Sequence, residues 1–260
     1  MRITCDVKDK VVLVTGANRG VGKAIVDAFL SHGAAKVYAA VRRLDSAESL
    51  VERYRGKLVP VQLDLGKPET ITAVASRAHD VQVVVNNAAI FMAATPLDGN
   101  ALAALELGMN INVFGLVRMA QAFAPVLKQN GDGAFVQINS VASLVCASNF
   151  ATHSASKAAA YSITQALREL LGSQGIAVLS VHPGLIASDM GHAAGLAGSA
   201  EPPSVVAEGI VRALRAGDFH LFPDSLARRV GDAYRSFSET VIEFGVPEYR
   251  PEHKSASVEK

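Results

Sequence analysis

The chain has 260 residues, half of them apolar, with 25 basic and 24 acidic side chains and a formal net charge of +1. That length supports one sizeable core, and the balanced charge gives no ground for binding nucleic acid or an anionic membrane surface. Two cysteines, Cys5 and Cys146, are too few for a disulfide framework and suit a reducing, cytoplasmic compartment. No run approaches the ~20 apolar residues of a membrane span, and the apolar run from Val11 to Val14 is too short for a secretory signal.

In chain order, a strand over 10–15 leads through a glycine-rich turn into a helix over 22–31, which Gly33 would close as a C-cap. Strands over 36–41 and 58–63 follow, then a helix over 70–78 and a strand over 81–86. The apolar run Val83-Val84-Val85 fits a strand buried on both faces. A long helical pattern over 97–129 includes a break and contains Asn110 and Asn112. A strand over 134–139, an alanine-rich helix over 154–171 and a strand over 177–182 come next. The segment 184–200, rich in Gly and Ala, breaks the rhythm. A helix over 204–215 starts after Pro202-Pro203, and a strand over 219–222 follows. An amphipathic helix over 225–244 and a polar tail, 248–260, complete the chain, the tail's end being expected to be disordered. The alternation predicts a single-domain α/β fold of the Rossmann type, a doubly wound parallel sheet of about seven strands with right-handed crossovers and helices on both faces.

The first turn reads Thr15-Gly16-Ala17-Asn18-Arg19-Gly20-Val21-Gly22. Its spacing is Gly-x-x-x-Gly-x-Gly rather than Gly-x-Gly-x-x-Gly, but the physical logic is shared. Glycines permit a tight turn and a close backbone approach to phosphate, and the helix start offers free N–H groups to a pyrophosphate. The alternative is a structural turn. The second strand ends at Val41, followed by Arg42 and Arg43. An NAD-binding chain carries an acid there for the ribose 2′-OH. A guanidinium instead matches a 2′-phosphate, so NADP(H) is expected, with Arg42 as main ligand and Arg19 as support. Solvated surface charge is the alternative.

Four motifs and one pair, in order over roughly residues 10–222, resemble the short-chain dehydrogenases/reductases. The turn matches that family's Thr-Gly-x-x-x-Gly-x-Gly. Asn86-Asn87-Ala88-Ala89 is similar to its Asn-Asn-Ala-Gly element, with Ala89 in place of glycine. Ile138-Asn139-Ser140 matches the strand that ends in the active-site serine. Pro183-Gly184-Leu185-Ile186-Ala187-Ser188 is similar to its Pro-Gly segment, with Ser188 where threonine is common, and Asp64-Leu65 looks like its adenine-contacting pair. The resemblance implies an NADP(H)-dependent carbonyl reductase or alcohol dehydrogenase without a metal. It places cofactor contacts at Gly16, Asn18, Arg19, Gly20, Val21, Gly22, Arg42, Asp64, Leu65, Asn87, Ala88, Ala89, Lys157, Pro183, Gly184, Ile186 and Ser188. It assigns Ser140 to hydrogen-bond the substrate oxygen. Lys157 would bind the nicotinamide ribose and lower its neighbour's pKa, and Asn112, in Asn-Val-Phe-Gly, would hold a water of a proton relay. Asn110, two residues earlier, lies on a different helix face.

The family's tyrosine is missing. Its Tyr-x-x-x-Lys places that residue four before Lys157, where this chain has His153, in Thr152-His153-Ser154-Ala155-Ser156-Lys157. The spacing from Ser140 and the flanking residues are ordinary for the family, so the register holds and the residue itself differs. Tyr161 lies about 12 Å further along a helix and reads as packing. His153 shares a helix face with Lys157. A neighbouring ammonium disfavours its protonated form, and a neutral imidazole at pH 7 is a poor proton donor. Three readings stay open. The chain is an ordinary reductase altered here, by natural variation or substitution, and strongly impaired. Or His153 is a working acid/base, directly or through a bridging water. Or it has no catalytic role, in a lyase-like non-redox enzyme or a silent NADP(H)-binding sensor or scaffold.

The segment 184–200 is where the family closes over substrate. It supplies Leu185, Ile186, Met190 and Leu196, with no Lys or Arg, and Leu144, Val145, Phe150, Phe91 and Met92 add apolar candidates. A neutral, fairly hydrophobic ketone, aldehyde or secondary alcohol is expected, although any one of these residues is as readily core. Asp189 and His192 read as surface residues. The alanine-rich helix and the long helix before it are where the family forms homodimers or homotetramers.

Overall fold

The fold is that of a computed structural model, which describes residues 2–189 and 200–244. The expected tail, 248–260, and the loop residues Met190, His192 and Leu196 lie outside the described residues. Seven strands are β1 (Val11–Thr15), β2 (Lys36–Val41), β3 (Leu58–Gln62), β4 (Val83–Asn86), β5 (Ala134–Ile138), β6 (Ala177–Val181) and β7 (His220–Leu221). They form one parallel sheet in the order β3-β2-β1-β4-β5-β6-β7. Each expected strand is present, most with trimmed ends.

The unbroken apolar runs follow from burial on both faces. Val12, Val14, Val83 and Val85 point into one core with Ile25, Phe29, Ile210 and Leu214. Leu13, Val84 and Phe135 point into the other with Ile71, Leu116, Phe123 and Leu127. Successive strand side chains face opposite ways, so every residue of such a run must be apolar.

Among the described residues, eight α-helices flank the sheet: α1 (Gly20–Ser31), α2 (Glu48–Arg53), α3 (Pro68–Arg77), α4 (Ala101–Gly108), α5 (Gly115–Asn130), α6 (Ala151–Gly172), α7 (Ser204–Ala216) and α8 (Ser225–Phe237). α2 was not expected. It is one and a half turns long and buries only Leu50, too little to show a period. The long helix expected over 97–129 is three pieces, since a π-helical stretch, Met109–Phe114, joins α4 to α5. Residues 97–100 are instead part of a turn, with Thr95 N–H donating to Asp98 Oδ2 at 2.7 Å. Together Ala101–Asn130 are long and apolar enough to cross a membrane, contrary to the expectation from the sequence. Leu116, Met119, Phe123 and Leu127 of that stretch are fully buried against the sheet, however. α6 starts three residues before the expected 154, which puts His153 inside its first turn. α8 ends at Phe237 and passes into a π turn, Ser238–Ile242, rather than running to 244.

The strand order reverses beside β1, whose neighbours are β2 and β4. Ligands of such sheets bind outside the carboxyl ends of the strands at that switch point. Thr15, Asn86, Ser140 and His182 stand at or just past the ends of β1, β4, β5 and β6.

Candidate functional site

The glycine turn is built where side chains do not fit. Gly16 and Gly20 have φ of +66° and +50°, in the left-handed region that glycine enters freely. A Cβ on Gly22 would lie 2.1 Å from the Gly16 carbonyl oxygen and 2.7 Å from Asn87 Nδ2. Arg19 stands at the N-cap of α1 without a side-chain cap bond. This cradle, with bare backbone at a helix start, fits a dinucleotide pyrophosphate. Asn18 and Val21 are half-buried in it.

The element Asn86-Asn87-Ala88-Ala89 is stitched to this turn. Thr15 Oγ1 accepts from the N–H groups of Asn87 and Ala88, both at 2.9 Å, and Asn87 Nδ2 donates to the Thr15 carbonyl at 2.8 Å. Asn86 Nδ2 donates to Gln137 Oε1 at 2.8 Å. These asparagines therefore hold β4 against β1 and β5.

Three guanidiniums stand at the mouth. Arg19 pairs with Asp189, and Arg43 with Asp45 at 3.2 Å. Arg42 is exposed at the end of β2, and no ion pair joins it to any described residue. Asp189 is a surface residue as expected, but its pairing with Arg19 joins the glycine turn to the Pro-Gly segment, which sequence spacing could not show. Asp64 Oδ1 accepts from the Gly66 N–H at 2.9 Å. Leu65 is buried, and its carbonyl accepts from Arg118 at 3.0 Å.

Ser140 follows β5, with its hydroxyl accepting from Ala142 N–H at 3.1 Å and facing the Pro183 carbonyl at 3.4 Å. Lys157, on α6, is buried and donates to the Ile138 carbonyl at 3.0 Å, two residues before Ser140. Burial pushes its pKa down to about 8. Asn112 lies in the π stretch. Its Oδ1 accepts from Ile90 N–H at 2.9 Å, while Nδ2 donates to the Ile90 carbonyl at 3.1 Å and to Ser156 Oγ at 3.0 Å. Both amide hydrogens are thus spent inside the protein, so only Oδ1 keeps a lone pair for the water that the resemblance implied. Asn110 faces elsewhere and accepts from Arg118 at 3.1 Å.

His153 is 7% exposed. Its ring meets Phe91 edge-on at 4.9 Å, and Phe91 packs on Phe150 at 5.7 Å. Burial first, and then the Lys157 ammonium, push its pKa down to about 3, against a hydrogen bond to the Ile90 backbone. Nδ1 is buried without a hydrogen-bond partner among the described residues. The ring is neutral at physiological pH. Tyr161 packs in the core, edge-on to His182 at 4.7 Å, with its hydroxyl on His220 Nε2 at 2.6 Å.

Of the expected substrate wall, Leu144, Phe150, Leu185, Phe91 and Met92 are half-buried, whereas Ile186 is buried in the core and Val145 is exposed. The Pro-Gly segment is held by a residue without a motif. Asp224 is buried and accepts from Gly184 N–H at 2.6 Å and Ala227 N–H at 3.0 Å. It thus caps α8 and pins the loop together. Its only sequence signal is an Asp just before a helix.

Residues 10–197 match the family described as short chain dehydrogenase. The chain belongs to that family. A probable galactose dehydrogenase of Rhizobium meliloti (strain 1021) is 32% identical over 197 residues, 71% of this chain and 74% of that protein. Estradiol 17-beta-dehydrogenase 2 of Rattus norvegicus is 31% identical over 188 residues, 68% of this chain and 48% of that protein. Among solved structures, a short chain dehydrogenase from Burkholderia cenocepacia J2315, in complex with NADP, superposes with a TM-score of 0.82 at 30% identity, covering 90% of this chain and 96% of that one. This short chain dehydrogenase is an oxidoreductase that takes a nicotinamide dinucleotide, NAD(P)(H).

One stability consequence follows from the buried imidazoles of this short chain dehydrogenase. The pKa values of His153 and His182 are both pushed from 6.5 to about 3. Such a group binds protons better in the unfolded chain, so stability is full above the unfolded value and falls as pH drops toward the folded one. Each contributes a slope of up to about 1.4 kcal/mol per pH unit in that window. The urea midpoint should fall between about pH 7 and pH 5, and fall less steeply in His153→Phe. An unchanged slope in that variant would contradict the buried, neutral state of His153.

Proposed function

We propose that this short chain dehydrogenase is an NADP(H)-dependent carbonyl reductase or alcohol dehydrogenase acting on a neutral, fairly hydrophobic ketone, aldehyde or secondary alcohol. Its proton-transfer position is weakened by His153. The observation that carries this reading is the buried pair of His153 and Lys157 on one face of α6, with Lys157 bonded two residues before Ser140. When bound, NADP(H) supplies or accepts the hydride at nicotinamide C4. Ser140 orients the substrate oxygen. Lys157, held by the Ile138 carbonyl, binds the nicotinamide ribose and places a positive charge beneath position 153. Asn112 props the turn that carries His153, through Ser156, whose hydroxyl donates to the His153 carbonyl at 2.8 Å. His153 itself, neutral and buried, accepts a hydrogen bond readily and donates a proton poorly.

Galactose and estradiol dehydrogenases among the relatives share an alcohol–carbonyl pair and little else, which supports the reaction class without selecting a substrate. A panel of ketones with NADPH, followed by NADPH absorbance, tests the reading. Slow or absent turnover with intact NADPH binding is expected. Brisk turnover of the protein as it stands would make His153 a working acid/base. NADPH binding without turnover, unchanged in His153→Tyr, would favour a silent sensor or scaffold.

Arg42 is the proposed ligand of the 2′-phosphate, because Arg19 and Arg43 are each paired with a carboxylate. Arg42→Ala should weaken NADP binding by about 10–100-fold, the scale of a charge-assisted contact, and leave NAD affinity nearly unchanged. Tighter binding of NAD than NADP by the unaltered protein would remove this role. A homodimer or homotetramer through the α4–α5 stretch and α6 is proposed on the family pattern and on the exposed Leu102 and Leu107 of α4, Phe114 of the π stretch and Leu170 of α6. Light scattering in solution decides it. Both cysteines are free thiols, and Cys146 is exposed, which supports a cytoplasmic, reducing location.

A further inference from the structure

His182 directly follows β6, one residue before Pro183, and is fully buried. Tyr161 meets its ring edge-on at 4.7 Å, and Phe222 stacks on it at 5.1 Å. Both ring nitrogens have polar partners. Nε2 lies 2.8 Å from Ser180 Oγ, and Nδ1 lies 3.0 Å from Ser143 Oγ and 3.2 Å from the Ser140 carbonyl oxygen.

His182 lies in a hydrogen-bonded network that runs from Thr164 through Asn139 and Ser180 to the Ser140 carbonyl. At the far end, the Thr164 hydroxyl donates to the Ala160 carbonyl at 2.7 Å, so towards Asn139, at 3.3 Å, it can only accept. That aims Asn139 Nδ2 at Thr164 and at Ser180 Oγ, 2.9 Å away. Ser180, accepting from Asn139, keeps its own proton available for His182 Nε2, an arrangement that matches a ring hydrogen on Nδ1. At the near end, the Ser140 carbonyl can only accept, so the Nδ1 that faces it carries the hydrogen. The carbonyl end calls for the Nδ1–H tautomer, and the Ser180 end accommodates it. Burial, with His220 alongside, keeps the ring neutral.

Three donors converge on the Ser140 carbonyl: His182 Nδ1–H, the Ser143 hydroxyl, and the Ser143 N–H at 3.0 Å. The next residue, Pro183, accepts from Val141 N–H at 3.0 Å and faces the Ser140 hydroxyl. The end of β6 thus grips Ser140 from both sides. We propose that His182, as its Nδ1–H tautomer, is a positioning residue that holds the Ser140 carbonyl and so aims the Ser140 hydroxyl. The proposal rests on the reading of Ser140 as the group that orients the substrate oxygen.

Two measurements test it. Long-range ¹H–¹⁵N NMR on the labelled protein, with His182 assigned by its loss in H182N, should show a protonated Nδ1 and an unprotonated Nε2. An Nε2–H tautomer overturns the proposal. In the His153→Tyr background, H182N keeps an N–H near the Nδ1 position, whereas H182Q moves it towards Nε2. H182Q should lower kcat for ketone reduction by about 10–100-fold, the scale of a small misplacement of a reacting group, with KM for NADPH nearly unchanged. H182N should keep most of the parent's kcat. Equal losses in both variants, or none in either, would count against the proposal. Should the His153→Tyr parent show no turnover, the reductase reading fails while the tautomer still decides the geometry at His182.

Discussion

Replacing His153 by tyrosine should raise NADPH-dependent ketone reduction by about 10²–10⁴-fold in kcat, the usual worth of a positioned general acid, with NADPH affinity nearly unchanged. The reason lies in the surroundings. His153 is buried, packed edge-on against Phe91 at 4.9 Å, and carries a pKa pushed down to about 3. An imidazole in that state carries only its neutral N–H, a poor proton donor at neutral pH. A phenol is neutral and protonated there by default, and the Lys157 ammonium one turn away favours its ionised form when the proton leaves. The local environment suits a neutral acid of the tyrosine type and works against a cationic one. Steady-state kinetics on one responsive ketone, with both proteins, measure the ratio. If the unaltered protein is active and the tyrosine variant is slower, His153 is a working acid/base and the impaired-reductase reading is wrong.

Gly22→Ala carries the second large expected effect. Its Cβ would lie 2.1 Å from the Gly16 carbonyl oxygen and 2.8 Å from the Gly16 carbonyl carbon. Both are backbone atoms of the same turn, so no flexible side chain can swing away. Either α1 shifts relative to β1 or the turn opens, and both deform the cradle. Overpacking of this kind costs about 1–3 kcal/mol and occasionally more, or a few degrees in Tm per kcal/mol for a chain of this size. Dinucleotide binding should fall below detection in a fluorescence titration even where the variant remains folded by circular dichroism. Retained binding in Gly22→Ala would mean that the cofactor does not lie over this turn. Gly56, at φ +80° with open space around it, offers a contrast: Gly56→Ala should lower Tm by its backbone strain and leave binding intact.

The strand pattern was readable because it is local. Two-sided burial demands continuous apolar runs, and Val83, Val84 and Val85 show one. The break between α4 and α5 was readable only as a break. Its π stretch carries Asn112, which reaches across to Ile90 and Ser156, contacts between segments far apart in the chain. α2 left almost no trace because six residues with one buried side chain have no periodicity to detect. The early start of α6 was missed because Thr152 bonds to the Met92 carbonyl at 2.8 Å, a partner sixty residues away that no local signal names.

At the site, the residue types and their order are properties of the linear chain. The glycine spacing, Arg42 at a strand end, Ser140, Lys157 and the histidine four residues before it are all visible without coordinates. Their chemical states are not, because a pKa or a tautomer is set by what surrounds a group. Whether His153 is charged depends on burial beneath Phe91 and on Lys157. Whether Arg19 or Arg42 is free for a phosphate depends on Asp189, which approaches from the other side of the sheet's switch point. Asp224 and His182 acquire their roles only because β6 and the start of α8 meet the Pro-Gly segment and Ser140 in space. Short-range pattern names the family and its missing tyrosine; desolvation and long-range hydrogen bonds, which exist only once the chain is packed, determine what the histidine in its place can do.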